Sequence, residues 1–300
     1  MLHNDNEVFE QVIMKVSEET GVDASIIEKD YYVTLFLKRI VELQPNIIFK
    51  GGTSLSKCYK LINRFSEDID LNIETESKPT EGQRKNLKRT IVSIIDEFGF
   101  TLTNTDNVKS RRDYNRYIID YPTLFPSGYL KENLIVETAV YIKAYPFVKM
   151  EATSLIYDYL HNNGYENLIK EYGLEPYELN VQSAERTLID KLFALGDNYL
   201  SDAIDKHSRH IYDIYKLSEI VSLTDELKNL AANVREERKP HEQCHSAKDG
   251  VDMNSLLREI IEKDAYKQDY ENVTLKLLFE PVAYETAIKT LQKIVDYNLF

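Results

Sequence analysis

The hydrophobic positions near the start of the chain predict two helices. One apolar stripe at helical spacing runs from Val8 to Val16, and a second runs from Ile26 to Ile40. Gly21 lies between the two stripes, where a glycine can end a helix. Residues from about 6 to 43 are therefore expected to form a helical pair.

A strand, a tight turn and a helix are predicted next. Residues 47–49 are β-branched or aromatic, and Gly51 and Gly52 follow them almost at once. Thr53 or Ser54 can then cap a helix with an apolar stripe. The glycines allow close approach to the backbone, and the start of the helix offers free N–H groups, so this corner can bind a phosphate.

Acidic and apolar residues alternate from Asp68 to Ile73, which is the pattern of a half-buried strand. Asp68, Asp70 and Asn72 are then expected on one face. A helix over 81–98, a strand over 100–103, a hairpin through 104–121 and a strand over 134–142 are predicted to follow.

The pattern changes after Pro146, where helices dominate. They are predicted over residues 152–162, 167–172, 183–198, 208–220, 251–262 and 282–297. The only strand indicated there covers 178–181, and the charged, aperiodic residues 235–250 are expected to form a loop or hinge. The fold class predicted is α+β, with an N-terminal lobe (1–146) that contains a small mixed sheet and a helical C-terminal lobe (147–300).

Composition and charge narrow the class of protein. The 300 residues are 43% hydrophobic and 29% charged, as in ordinary globular proteins. No apolar run approaches the roughly 18 residues that a membrane span needs, the first residues lack the order of a signal peptide, and two distant cysteines suggest a reducing compartment. These features predict a cytoplasmic protein that is not bound to a membrane.

The net charge of −13 argues against a broad basic surface for nucleic acid. Two local basic segments stand out, GQRKNLKR from Gly82 to Arg89 and KSRRDYNRY from Lys109 to Tyr117, the second with Tyr114 and Tyr117 interleaved. Each is open to two interpretations, a solvated face or a local contact for nucleic acid.

Asp68 and Asp70 have the spacing that a magnesium site needs. Two carboxylates on one face of a strand can bind Mg²⁺ together with phosphate oxygens and water. An Asp-x-Asp pair alone is a weak signal, because surface turns produce it often. The phosphate-binding corner just upstream strengthens it, and Lys57, one turn into the predicted helix, can add a charge or remain solvated.

The segment KGGTSLSKCYKLINRFSEDIDL resembles the first motif of the AbiEii/AbiGii toxin family, within the DNA polymerase β-like nucleotidyltransferase superfamily. IIEKDYYVTLFLKRI, SAERTLIDKLFAL and SRHIYDIYKL are similar to other parts of that family. The resemblance covers residues from about 25 to 220, and the spacer from Gly52 to Asp68 is longer than in many superfamily members.

The resemblance implies roles for individual residues. It makes Asp68 and Asp70 metal ligands and catalytic residues. It adds Glu137, a lone acid in the apolar strand, as a third metal ligand, with a structural salt bridge as the alternative. It makes Gly52, Thr53 and Ser54 contacts on the phosphate side. The other residues predicted to bind the nucleotide are Gly51, Lys57 and Arg186.

Two more catalytic candidates lie in the second half. The resemblance suggests Lys191 as a phosphate contact and Asp213 as an essential acid. For Lys191 the residues alone favour an ordinary flanking lysine on its helix. For Asp213 the spacing also allows an ion pair with Arg209 at i, i+4.

The activity implied is transfer of a nucleotide from an NTP to a cellular acceptor, foremost the 3′ end of tRNA, with one or two Mg²⁺ ions. The helical lobe is expected to close the nucleotide cleft. The family also implies a cognate antitoxin encoded alongside and a role in phage defence. Two alternatives remain open: a nucleotidyltransferase that modifies a protein hydroxyl or a small molecule such as an antibiotic, and a non-catalytic interaction module.

Overall fold

The computed structural model describes residues 1–64, 66, 68–75, 78–128 and 131–300. The chain forms two compact units. The first contains Met1–Cys58 and Ser66–Val181, and the second contains Tyr59–Phe65 and Gln182–Phe300. The chain thus passes from the first unit to the second after Cys58 and returns to the first at Ser66.

One mixed sheet lies at the centre of the first unit. Its strands are β1 (Ile47–Lys50), β2 (Asp68–Ile73), β3 (Thr101–Leu102), β4 (Tyr114–Asp120), β5 (Leu134–Ala139), β6 (Phe147–Ala152) and β7 (Tyr177–Gln182), in the spatial order β3-β4-β5-β2-β1-β7-β6. The pairs β2/β5 and β1/β7 are parallel, whereas β1/β2, β3/β4 and β4/β5 are antiparallel.

Helices pack around this sheet in the first unit. They are α1 (Asn6–Thr20), α2 (Ala24–Leu43), α3 (Gly51–Lys57), α4 (Glu81–Glu97), α5 (Leu155–Asn162) and α6 (Glu166–Tyr172). The long helix α2 contacts α1, α4, α5 and β5. Its first turn is capped by Asp23, and Gly21 in the left-handed conformation ends α1, as the sequence predicts.

The second unit is helical. Its helices are α7 (Ala184–Leu200), α8 (Arg209–Leu217), α9 (Asp225–Arg238), α10 (Met253–Glu262), α11 (Lys267–Asp269), α12 (Leu275–Leu277) and α13 (Tyr284–Asp296). Helix α8 packs between α7 and α13. Residues 59–64 are fastened here, since the main-chain N–H of Phe279 donates to the carbonyl of Asn63 over 3.0 Å.

The observed elements confirm the α+β class and correct two expectations. Strand β6 lies in the region where 178–181 is the only strand that the sequence indicates. Helix α9 is amphipathic, burying Leu227, Ala231 and Val234, and it extends to Arg238, into residues expected to form a loop. Within the described residues, no helix is long and apolar enough to span a bilayer.

Candidate active site

A row of charged side chains crosses one face of the sheet. Asp70 on β2 is in register with Lys50 on β1 and with Glu137 on β5, and Glu137 is in register with Arg116 on β4. Asp68 lies two residues before Asp70 and therefore on the same face. The sheet thus brings together Asp68, Asp70 and Glu137, which are separated by up to 69 residues in the sequence.

The opposite face explains why β2 has this orientation. Ile69, Leu71 and Ile73 are almost fully buried, and Leu71 is in register with the buried Phe49 on β1. A shift of one residue would expose these three side chains and bury the two carboxylates. The alternating pattern therefore fixes the face on which the acids lie.

Gly51 lies directly against the carboxylate of Asp70. A β-carbon built at Gly51 would be 2.0 Å from Oδ2 of Asp70, and Gly51 has a φ of +78°, which favours glycine. Both observations require glycine at this position. The glycine turn thus lies directly against one of the two predicted acids.

Thr53 and Ser54 do not cap the helix as expected. Helix α3 begins at Gly51, its N-cap is Lys50, and no side chain caps it. Oγ1 of Thr53 donates to the carbonyl of Asp68 over 2.6 Å, and Oγ of Ser54 donates to the carbonyl of Gly51 over 2.8 Å. Both hydroxyls are buried, so they brace the glycine corner and the start of β2.

Asp68 has a cationic partner that the sequence analysis missed. Nζ of Lys131 donates to both oxygens of Asp68, over 2.9 and 3.1 Å. Both side chains are partly exposed, so the pair lies at the surface of the first unit. A lysine before a strand carries no signal in the sequence, because only the parallel pairing of β2 with β5 brings it to Asp68.

Glu137 has two neighbours on β4. Nε of Arg116 is 3.6 Å from Oε1 of Glu137, which is the salt bridge that the sequence left as an alternative. Tyr114 lies on the same side; burial raises the pKa of its hydroxyl, and the charge of Glu137 and a hydrogen bond to it raise that pKa further. Arg116 and Tyr114 are both about 44% exposed, so the surroundings of Glu137 are accessible.

The structure does not bring Lys57 to this group. Its side chain is buried and forms an ion pair with Asp30 on α2. The other carboxylate oxygen of Asp30 accepts from the main-chain N–H of Leu155 over 2.8 Å. Lys57 thus links α3 to α2 within the first unit.

A second charged group lies in the second unit. Asp213 on α8 is fully buried and accepts from Nζ of Lys191 over 2.6 Å and from Nε and a terminal nitrogen of Arg64 over 2.7 and 2.8 Å. Burial alone would raise the pKa of Asp213, but Arg64 and Lys191 outweigh it and hold that pKa well below its usual range. The ion pair with Arg209 that the spacing also allowed is not among the contacts of Asp213 in the described residues, which are with Arg64 and Lys191.

Arg64 was also missed by sequence analysis. It lies in the spacer between Gly52 and Asp68, in the short segment that belongs to the second unit. Its guanidinium binds Asp213 in the bidentate geometry that this planar group favours. The length of the spacer is the only sequence signal for this arrangement.

Arg64 and Lys191 both bind the single carboxylate of Asp213. Burial lowers the pKa of Lys191, and Asp213 opposes that shift. Burial also lowers the pKa of His210 well below its usual value, and within the described residues Nδ1 of His210 has no hydrogen-bond partner.

Arg186 lies apart from this group. It is buried on α7, and its guanidinium contacts Asp190 over 3.3 Å and Glu237 over 3.0 Å. Asp190 also accepts from the side chain of Gln182 over 3.1 Å. These contacts tie α7 to α9.

Asp68, Asp70 and Glu137 define what we call the acidic face of the sheet, and its oxygen ligands suit magnesium. In the described part of the chain, no three His, Cys, Asp or Glu side chains converge as a preformed set of metal ligands. Mg²⁺ does not need such a set, because it binds one or two carboxylates and takes its other ligands from phosphates and water. Asp68 and Asp70 offer that number of carboxylates, and the absence of a side chain at Gly51 makes space for the carboxylate of Asp70.

Comparison with known proteins defines the class of enzyme: the chain is a nucleotidyltransferase. Residues 35–293 match the family model "Nucleotidyl transferase AbiEii toxin, Type IV TA system". The chain therefore belongs to the AbiEii family of nucleotidyltransferase toxins from type IV toxin–antitoxin systems, which confirms the resemblance seen in its motifs.

Two other comparisons add little. A solved structure described as "putative nucleotidyltransferase from H. pylori" is similar over 91% of this chain and 94% of that one, at 17% identity and a TM-score of 0.42. A similarity of this degree carries no argument about activity. No curated protein matches the chain.

Proposed function

We propose that this enzyme is a magnesium-dependent toxin that transfers a nucleotide from an NTP to the 3′ end of tRNA. A cognate antitoxin encoded alongside would restrain it, and the pair would act in phage defence. The observation that carries the proposal is the row formed by Asp70 and Glu137 on neighbouring strands, with Asp68 on the same face and Gly51 against Asp70.

Each of these residues has a defined task in the proposed reaction. Asp68 and Asp70 would hold Mg²⁺, with Glu137 as the third carboxylate. When bound, the metal supplies positive charge that stabilises the attacking and leaving oxygens of an in-line displacement. Gly52 would let the triphosphate approach the backbone, while Gly51 makes space for the carboxylate of Asp70.

The reaction exchanges one phosphorus–oxygen bond for another. The 3′ hydroxyl oxygen of the acceptor bonds to the α-phosphorus, the bond from that phosphorus to the bridging oxygen breaks, and pyrophosphate leaves. The hydroxyl proton must be removed as the new bond forms. The carboxylates of the acidic face are the groups of this chain that would accept that proton.

Lys191 would contact a phosphate of the nucleotide, and Asp213 would hold Lys191 in place. Lys191 is the cation that the group can present to a phosphate, because Arg64 already gives two donors to Asp213. Asp213 then acts as a positioning residue that holds the ammonium in place. The two cations that bind Asp213, Arg64 and Lys191, support a role with an anionic substrate.

Labelled nucleotides test the proposal. The purified protein is incubated with each α-labelled NTP, Mg²⁺ and total RNA, with the Asp70→Asn variant as control. We expect label on tRNA with the wild type and none with the variant, whose circular dichroism spectrum should be unchanged. Trimming the labelled RNA from its 3′ end identifies the acceptor.

Other outcomes would overturn parts of the proposal. Label on a protein or a small molecule would leave a nucleotidyltransferase with another acceptor. No turnover of any NTP would contradict the proposed site. Full activity in the presence of EDTA would contradict the proposed dependence on Mg²⁺. Growth inhibition on expression, relieved by the gene encoded alongside, tests the toxin role independently.

A further inference from the structure

The two basic segments of the sequence lie side by side in the first unit. Nε of Arg111 is 2.8 Å from Glu81 at the start of α4, and a terminal nitrogen of Arg84 is 2.8 Å from Asp113. Further along α4, Nζ of Lys88 donates to the carbonyl of Val108 over 2.9 Å. These three contacts join α4 to the loop before β4.

The joined segments form a basic patch on an acidic protein. Residues 84–93 contain four basic and no acidic side chains, and residues 107–117 contain four basic side chains and one acid, in a chain of net charge −13. Asp113 is neutralised by Arg84 and Lys78. These two segments therefore carry a local excess of positive charge.

Several cations of this patch have no acidic partner. Lys85, Arg89, Lys109 and Arg112 are exposed, and in the described part of the chain none of them forms an ion pair within 4 Å. A groove of about 340 Å³ runs along α4, lined by Lys85, Lys88, Arg89, Val92, Ser93, Asp96 and Ser110. Asp96 is the only acid among these lining residues.

The patch continues into the acidic face through β4. Arg112 lies two residues before Tyr114, a residue that is 44% exposed and lies beside Glu137, and Arg116 pairs with Glu137. Tyr117, the other tyrosine of this segment, is buried in the core and unavailable for a ligand. One exposed aromatic ring therefore lies between the cations and the carboxylates.

We propose that this patch binds RNA, with its cations on the phosphates and Tyr114 stacked on a base next to the acidic face. Hereafter we call Lys85, Arg89, Lys109, Arg112 and Tyr114 the RNA track. Cations that follow a backbone, together with an aromatic platform, are the combination by which proteins bind single-stranded nucleic acid. The inference rests on the proposed function, since the track would be the surface that binds the tRNA acceptor.

The arrangement favours RNA over an acidic protein partner. The track ends at the exposed Tyr114, on which a base can stack, beside the carboxylates that an acceptor hydroxyl has to reach. A track confined to one edge also agrees with an acidic protein that binds a short RNA end, since the rest of its surface would repel phosphates.

Matched triple variants test the track. Lys85→Ala, Arg89→Ala and Lys109→Ala are combined in one protein, and Lys170→Ala, Lys289→Ala and Lys293→Ala in another, so both lose the same charge. We expect the first to bind fluorescent tRNA at least about tenfold more weakly than wild type and to have a shallower dependence of log K on log[salt], by about 2. The second should differ by less than about threefold.

Tyr114 is tested by two substitutions. Tyr114→Ala should weaken binding by about tenfold, because it removes a stacking platform, whereas Tyr114→Phe should retain most of the affinity. Binding of NTP and the thermal midpoint are measured for every variant. Unchanged values show that the loss concerns RNA alone.

The outcomes separate this inference from the proposed function. Equal tRNA affinity in both triple variants would overturn the track, even if the wild type labels tRNA. A track variant that keeps its affinity for tRNA but loses its antitoxin would also overturn it and indicate a protein surface. Wild type that binds tRNA through the track but transfers no nucleotide would support the track and contradict the proposed reaction.

Discussion

Gly51 leaves no space between its backbone and the carboxylate of Asp70. A β-carbon at residue 51 would be 2.0 Å from Oδ2 of Asp70 and 2.8 Å from its carboxyl carbon. Contacts below 3.0 Å are not tolerated without movement, and here both the backbone of β1–α3 and the strand β2 are held in a sheet. The glycine therefore determines where one of the two aspartates can lie.

Gly51→Ala should reduce nucleotide transfer by at least about 100-fold, because the methyl group displaces the Asp70 carboxylate by an ångström or more. The turnover number is measured with labelled NTP at saturating Mg²⁺. Gly173→Ala is the matched control, since Gly173 also has a positive φ (+67°) but has open space around its β-carbon position. Equal activity in the two variants would contradict the steric argument.

Lys131→Ala should strengthen metal binding at the acidic face. Nζ of Lys131 lies on both oxygens of Asp68, so the ion pair has to open before that carboxylate can bind a cation. An exposed pair is worth no more than about 1 kcal/mol, which predicts a dissociation constant for Mn²⁺ lower by about two- to fivefold. Titration followed by electron paramagnetic resonance measures it.

Lys149→Ala serves as the control for Lys131, because Lys149 forms an exposed ion pair with Glu178 in the same unit. It should leave the affinity for Mn²⁺ unchanged. Weaker metal binding in Lys131→Ala would show that the lysine supports the site and does not compete with the cation.

Asp213→Asn should lower the free energy of unfolding by about 3 to 5 kcal/mol, because it removes the buried carboxylate that both Arg64 and Lys191 bind. Lys191→Met should change stability by less than about 1 kcal/mol, since Arg64 still binds Asp213 through two hydrogen bonds. The same variant should lose nucleotide transfer if Lys191 contacts phosphate. Urea unfolding and the labelled-NTP assay measure the two effects.

Asp249→Asn is the control for Asp213, because Asp249 is 85% exposed and pairs with Lys239 at the surface. It should lower stability by less than about 1 kcal/mol. If Lys191→Met were as unstable as Asp213→Asn, the ammonium would be structural, and its role with the nucleotide would fail.

His3 should make the protein less stable as the pH falls from about 6.5 to about 4. Burial lowers the pKa of His3 to about 4, the N-terminal ammonium adds to that shift, and the unfolded chain has the ordinary value of about 6.5. Between these values the unfolded state binds more protons, so acidification favours unfolding. His3→Gln should flatten the dependence of stability on pH in this window.

Urea unfolding at several pH values between 7 and 4 checks this prediction. The exposed His161 provides the control, and His161→Gln should keep the wild-type slope. A wild-type slope in His3→Gln would assign the acid sensitivity to other groups.

Local sequence was sufficient for most elements and for the acid pair. Alternation of period two predicted β2 and its acidic face, because a strand with one buried face has only one acceptable register. Local sequence did not predict β6. This strand lies at the edge of the sheet, where most of its residues are exposed or half-buried, so apolar and polar residues do not alternate clearly along it. Local sequence also missed α9, whose charged C-terminal half obscures its buried stripe.

The sequence by itself determined that Asp68 and Asp70 share a face, that glycines precede them and that the chain has the motifs of its family. Only the tertiary structure decided which charges meet. Lys131 binds Asp68, Arg64 binds Asp213, and Lys57 binds Asp30. The reason is physical: periodicity fixes the orientation of a side chain within its own element, whereas the partner of a charge depends on which distant elements the core packs together.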